Sequence, residues 1–191
     1  MKMNASIKAV SFYLPENILT NEDLAGEFPE WSTEKITSKI GIKKRHISAK
    51  NECSSDLAVH SAKKLFAEHK IDPQKIDFVI LCTQSPDYFL PTTACLIQSE
   101  LDLRNNIGAF DFNLGCSGYI YGLGISKGLI ETNQAENVLL IMSETYSKFL
   151  EKTDKSNRAI FGDGASSTLI SRSEDGNIGN FAYGTDGNGA E

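Results

Sequence analysis

The residue best placed for chemistry is Cys116, within Phe112–Gly124, FNLGCSGYIYGLG. A β-type run, Ile107–Asn113, gives way there to a helix expected from Cys116 to about Glu131. In α/β sheets, ligands bind beyond the carboxyl ends of the strands. The unpaired N–H groups and positive dipole end of a helix start favour a thiolate. The same groups could hold a developing oxyanion. Cys116 is therefore a candidate nucleophile, set against the plainer reading of a small core residue. Gly115, Gly118, Gly122, Gly124 and Gly128 crowd this segment. An interior glycine costs a helix about 1 kcal/mol relative to alanine, a cost that close backbone approach would offset. Tyr119, Ile120, Tyr121, Leu123, Ile125, Leu129 and Ile130 make the helix apolar nearly all round, the pattern of a buried helix.

The other cysteines read differently. Cys82 falls inside an apolar strand and Cys95 inside an apolar helical stretch, so both are expected in the core. Cys53 lies in a polar loop. No CxxC pair occurs, and His46, His60 and His69 are scattered, so no metal site is expected.

These residues need a scaffold, and the chain alternates β-type and α-type patterns. Ile7–Leu14 reads as a strand ended by Pro15. Thr20 followed by Asp23 signals a helix start. A polar helix is expected over Thr33–Lys39, closed by Gly41, and a longer one from a Ser55 or Asp56 cap to about His69. Ile76–Thr83 is a strand and 92–103 a helix; Asn137–Ser143 and Ala165–Ser171 are further strands. Continuous apolar strands separated by helices predict a mostly parallel sheet covered on both faces. The turn-rich stretch 175–191 is expected to carry no packed element.

Composition sets the outer limits. Over 191 residues, 40% are hydrophobic and 23% charged, ordinary for a globular chain with one full core. A net charge of -6 argues against general nucleic-acid binding. No apolar run approaches the roughly 20 residues that span a bilayer. No export signal is read at the N-terminus, so free thiols in a cytoplasmic location are expected.

Several stretches together resemble β-ketoacyl-acyl-carrier-protein synthase III, of the thiolase-like condensing superfamily. They are YLPENILTNEDL (13–24), IGIKKRHI (40–47), LPTTACLIQSEL (90–101), DFNLGCSGYIYGL (111–123) and FGDGAS (161–166). The resemblance implies a thiolase-like α-β-α-β-α fold of two similar halves. This chain would be the N-terminal half, residues 1–172, a mixed, mostly parallel sheet around a buried central helix. Residues 173–191 would begin the connection to a second half. The cysteine at Cys116 would take an acyl group from an acyl thioester, and a decarboxylated malonyl-carrier-protein would then attack it. The family's catalytic His and Asn fall in the second half, and none of His46, His60 or His69 takes that place.

The resemblance also places binding residues. The family's cofactor-stacking Trp aligns with Lys35 rather than Trp31, and its neighbouring Arg with Lys39. A phosphate-contacting Arg aligns with Lys155, and Arg158 lies close by. Cations are kept while the aromatic platform is not, so both acyl-CoA and acyl-carrier-protein thioesters stand as donors, with no permanently bound cofactor. The segment before LPTTAC would reach across a homodimer interface, where Leu90 would cap the partner's acyl pocket and leave more room than a Phe. Asp163, in FGDGA, reads as structural.

Three functions follow. The first is a condensing acyltransferase of fatty-acid or related biosynthesis, with the chain alone unable to complete the condensation. The second passes the acyl group from Cys116 to an amine or hydroxyl, in secondary metabolism or sugar modification. The third is a non-catalytic, dimerising half.

Overall fold

The computed structural model describes residues 4–189. Strand β1 (Asn4–Tyr13) is followed by a short β2 (Asn17–Thr20), which pairs antiparallel with β3 (Lys44–Ile47). Between them lie α1 (Asn21–Glu27) and α2 (Thr33–Ile40). Then come α3 (Ser54–His69), β4 (Phe78–Cys82), α4 (Thr93–Glu100), β5 (Gly108–Phe112), α5 (Gly118–Glu131), β6 (Asn137–Glu144), α6 (Lys155–Ile160) and β7 (Gly164–Ser173).

Local chemistry starts and stops the helices. Thr20 Oγ1 accepts from Asp23 N at 3.1 Å while Asp23 Oδ2 accepts from Thr20 N at 2.9 Å, the reciprocal cap expected from sequence. Ser32 caps α2, and Gly41 ends it at φ 75°, a left-handed conformation that glycine adopts without strain. Helix α3 starts earlier than expected, behind Cys53. Asp56 is not its cap but reaches back from the third position to Cys53 N at 2.7 Å. Ser55 N and Oγ donate to Asp87, a carboxylate brought to the α3 N-terminus by the loop after β4. Helix α4 is shorter than 92–103, because Asp102 turns left-handed at φ 51° and the chain leaves the helix there.

Five strands form one sheet in the order β1-β7-β6-β4-β5. β4 pairs parallel with both β5 and β6, while β7 is antiparallel to β6 and to β1. Four strands therefore share one direction and β7 alone opposes them. The central strands are fully buried because both faces are covered. On one face Val79, Leu81, Leu139 and Ile141 pack with Ala58, Leu65 and Ile97 of α3 and α4. On the other, Ile80, Val138 and Leu140 pack with Leu123 and Ile130 of α5. Each such side chain contributes about 1.5–3 kcal/mol of burial free energy.

Helix α5 is apolar nearly all round, as expected, and meets the sheet of this chain along one side. It is buried on one face only: Gly118, Gly122, Leu123, Ser126 and Ile130 meet the sheet, whereas Ile120 is 44% and Ile125 37% exposed. Gly118 and Gly122 are required by close approach. A β-carbon at Gly118 would stand 2.3 Å from Cys82 Sγ, and one at Gly122 2.5 Å from Leu140. Gly128 meets nothing, so contact in this chain does not explain it.

The segment after β7 is also more ordered than expected. Ile178 N bonds to Ala5 O, and Phe181 and Tyr183 pack on the outer side of α5, with Tyr183 against the Tyr121 ring at 4.8 Å. Ala190 and Glu191 lie outside the described residues.

Candidate active site

Cys116 lies in the tight turn between β5 and α5, closed by Gly118 N donating to Gly115 O at 2.8 Å. The helix begins two residues later than expected, so Cys116 precedes its first turn rather than opening it. Ser117 occupies the cap position without a side-chain bond to the helix, whereas Thr20, Ser32 and Asp154 cap α1, α2 and α6. Helix α5 thus starts on backbone bonds alone, Gly118 N to Gly115 O and Ile120 N to Ser117 O, beside an exposed thiol.

The thiol faces a cavity of about 520 Å³. Leu14, Leu114, Met142, Phe161 and Ala165 give it apolar walls, and Cys82, Gln84, Ser143 and Glu144 are among its other lining residues. Cys82 is buried, as expected of a core cysteine; its Sγ donates to Leu114 O at 3.1 Å, and burial pushes its thiol up to about 11. Cys95 is not in the core: it sits on the outer face of α4 and is exposed. Burial also raises the Glu144 carboxyl above its ordinary value, against hydrogen bonds from Ser85 and Gln84 that lower it. Among the described residues no histidine lines the cavity. His46 Nδ1 is bonded to Pro15 O at 2.6 Å, His60 stacks on Tyr13 at 4.6 Å, and His69 is exposed at the end of α3.

A second cavity of about 390 Å³ adjoins the first. Phe161 borders both, and Arg158 lines the second. The Arg158 guanidinium pairs with Glu27 and lies 5.5 Å from the Phe28 ring centroid. Lys35 and Lys39 share a small apolar hollow with Trp31, and Lys155 stands over the Trp31 ring at 5.6 Å. Four of the residues weighed from sequence are therefore neighbours, with Trp31 at their centre. Trp31, Lys35 and Lys39 recur every fourth residue along the chain leading through α2, a spacing that could have shown this. Leu90 is far more open, 76% exposed beside Phe89 at 97%, and does not line the Cys116 cavity of its own chain.

Asp163 serves the structure. It accepts from Ser48 N, Ser48 Oγ, Ser147 N and Ser147 Oγ, at 2.6–2.9 Å, and so ties two loops beside the cavity.

A cysteine between a strand end and a helix start, in a sheet of order β1-β7-β6-β4-β5 with helices on both faces, belongs to a thiolase-like α/β fold. The comparisons show what the chain is similar to. Residues 110–187 match the family model for 3-oxoacyl-[acyl-carrier-protein (ACP)] synthase III, and the whole chain is similar to the N-terminal portion of such enzymes. It is 40% identical over 192 residues to β-ketoacyl-[acyl-carrier-protein] synthase III of Caldanaerobacter subterraneus, spanning 100% of this chain and 57% of that protein. A crystal structure of a 3-oxoacyl-(acyl-carrier-protein) synthase III superposes with a TM-score of 0.94 at 50% identity, over 98% of this chain and 56% of that one. The priming β-ketosynthase of the R1128 polyketide pathway superposes at 0.91 with 26% identity, over 97% and 55%. The chain thus spans a little over half the length of these relatives.

Proposed function

We propose that this chain supplies the acyl-accepting half of a β-ketoacyl-ACP-synthase-III-type condensing enzyme. The observation that carries the reading is Cys116, exposed in a cavity at the uncapped start of α5. Cys116 Sγ attacks the carbonyl carbon of an acyl-CoA or acyl-carrier-protein thioester. The bond to the carrier sulfur breaks, the carrier thiol leaves with the proton, and the acyl group stays on Cys116. The positive end of the α5 dipole favours the oxyanion of that step. Decarboxylation of a malonyl thioester then releases CO₂ and an enolate. The enolate attacks the acyl-Cys116 carbonyl and frees the cysteine. That step needs donors to the enolate, which the resemblance assigns to a His and an Asn in a second half. Residues 1–172 are read as the first half and 173–191 as the start of the connection.

Trp31, with Lys35, Lys39 and Lys155 around it, offers a ring and cations to the nucleotide of a CoA donor. The free edge of β5 and the exposed run Tyr88, Phe89 and Leu90 favour a homodimer, with Leu90 reaching the partner's acyl pocket. Four free thiols fit a reducing compartment, the cytoplasm. No described helix is long and apolar enough to cross a membrane.

The test is intact-mass analysis after incubation with a short acyl-CoA and with an acyl-carrier-protein. The expected result is one acyl adduct that is lost in Cys116→Ala. An adduct that survives that substitution would overturn the assignment. Given malonyl-carrier-protein as well, the 191 residues alone are expected to release no ketoacyl product. Transfer from acyl-Cys116 to an added amine or alcohol instead would favour the other acceptor class.

A further inference from the structure

Beneath the Cys116 cavity, where β4 and β6 end, lies a polar network that acyl transfer itself does not use. Ser54, Thr83, Ser85, Ser143 and Thr145 are all buried. Ser54 Oγ and Thr83 Oγ1 are 3.2 Å apart, and Ser143 Oγ donates to Ser54 O at 2.7 Å. Ser85 N donates to Thr83 Oγ1 at 3.0 Å, and Thr145 N donates to Ser85 Oγ at 2.8 Å. Ser85 Oγ in turn donates to Glu144 Oε2 at 2.7 Å, and Glu144 Oε1 accepts from Gln84 N at 2.7 Å.

A carboxylate is a costly way to end such a network. Desolvation raises its pKa, and an amide or an apolar side chain would fill the same space without a charge. What a carboxylate adds is two acceptor oxygens, each able to hold a separate part of one turn. Those parts are the backbone of Gln84 and the hydroxyl of Ser85. The turn leads directly toward the thiol. Gln84 Oε1 lies over the Gly115 α-carbon, 3.2 Å from where a β-carbon would stand. Gly115 O accepts the bond that closes the Cys116 turn.

We propose that Glu144 is a positioning residue for Cys116: it anchors the Gln84–Ser85 turn, and the Gln84 side chain, packed on Gly115, fixes where the thiol stands. The inference rests on the reading of Cys116 as the acyl-accepting nucleophile.

The test compares wild type with Glu144→Gln, Gln84→Ala and the double variant. It measures the rate of acyl-Cys116 formation against pH, the iodoacetamide rate at Cys116, and the urea midpoint. Each single variant is expected to acylate roughly tenfold more slowly. The double variant should be no slower than the slower single, because both act through one contact. The wild-type rate should carry an acid-side dependence that Glu144→Gln lacks. Glu136→Gln, at the far end of the sheet, should leave the rate unchanged. Gln84 is exposed, so its variant keeps the test decisive even where Glu144→Gln fails to fold. Wild-type acylation by Gln84→Ala, or additive losses in the double variant, would overturn the proposal. Failure of any thioester to acylate wild type would sink the nucleophile reading instead. The iodoacetamide rate would then decide the positioning role, and equal rates in wild type and Gln84→Ala would end it.

Discussion

Lys155 Nζ stands 5.6 Å from the centroid of the Trp31 ring while it bonds Glu30 Oε1 at 2.6 Å. The salt bridge is exposed and contributes little by itself. Its consequence is placement, because it holds a cation over an aromatic face at the hollow shared with Lys35 and Lys39. Trp31→Ala is expected to raise the acyl-CoA concentration that half-saturates Cys116 acylation roughly fivefold, with the maximal acylation rate retained, as for loss of uniform binding. An acyl-carrier-protein donor, which lacks the nucleotide, should be affected far less. Single-turnover acylation of Cys116 at varied concentrations of both donors checks this, and equal effects on the two would remove Trp31 from nucleotide binding.

Cysteine labelling separates the four thiols. Cys82 is 1% exposed with its thiol raised to about 11, and Cys53 is raised by partial burial and by Asp87. Cys95 and Cys116 are both exposed, but Cys116 lines the cavity ahead of α5, whereas the α4 start beside Cys95 donates Thr93 N and Ala94 N to the Asp111 carboxylate. Iodoacetamide at pH 7.5, roughly one unit below a free thiol's pKa, should modify Cys116 first and leave Cys82 untouched. Peptide mapping over time reads the order. Labelling of Cys116 no faster than of Cys95 would favour the non-catalytic reading.

Cys82 also makes stability depend on alkaline pH. Its pKa rises from 9.0 unfolded to about 11 folded, so the native state holds a proton that the unfolded state has lost. The associated stability is fully present below pH 9 and is lost as pH rises through about 11. Two units correspond to about 3 kcal/mol. Urea midpoints taken across that range should fall in wild type and fall less in Cys82→Ala. Parallel curves would show that Cys82 does not carry the effect.

Much of the scaffold was legible because it is written in short-range chemistry. The Thr20–Asp23 cap, the Gly41 stop and the apolar runs of β4 and β6 each depend on residues a few positions apart. Strand direction does not, and the reversal of β7 left no mark in its own composition. The position of Cys116 could be read for the same local reason, and so could the apolar surround of α5, though not which of its sides the sheet covers. Cys95 failed likewise, since a small sulfur-bearing residue in an apolar stretch carries no sign of which side it faces. Glu144 and the approach of Lys155 to Trp31 needed three dimensions. Glu144 is one carboxylate at the end of an apolar strand, and its partners Gln84 and Ser85 lie about sixty residues away.

Asp163 gives a last test, because a carboxylate beside the Cys116 cavity invites a chemical role. Its oxygens are already committed. Oδ2 accepts from Ser48 N, Ser48 Oγ and Ser147 Oγ, and Oδ1 accepts from Ser147 N at 2.9 Å. Asp163→Asn can keep only one of those oxygens. The other becomes an NH₂ group facing a donor, so at least one buried N–H or O–H loses its partner. Such a loss costs about 1–3 kcal/mol. The variant should therefore lower the urea midpoint while the folded fraction still labels at Cys116 at the wild-type rate. The opposite pattern, unchanged stability with acyl transfer abolished, would require Asp163 to touch the substrate, and its four bonds to Ser48 and Ser147 leave it no free oxygen to do so.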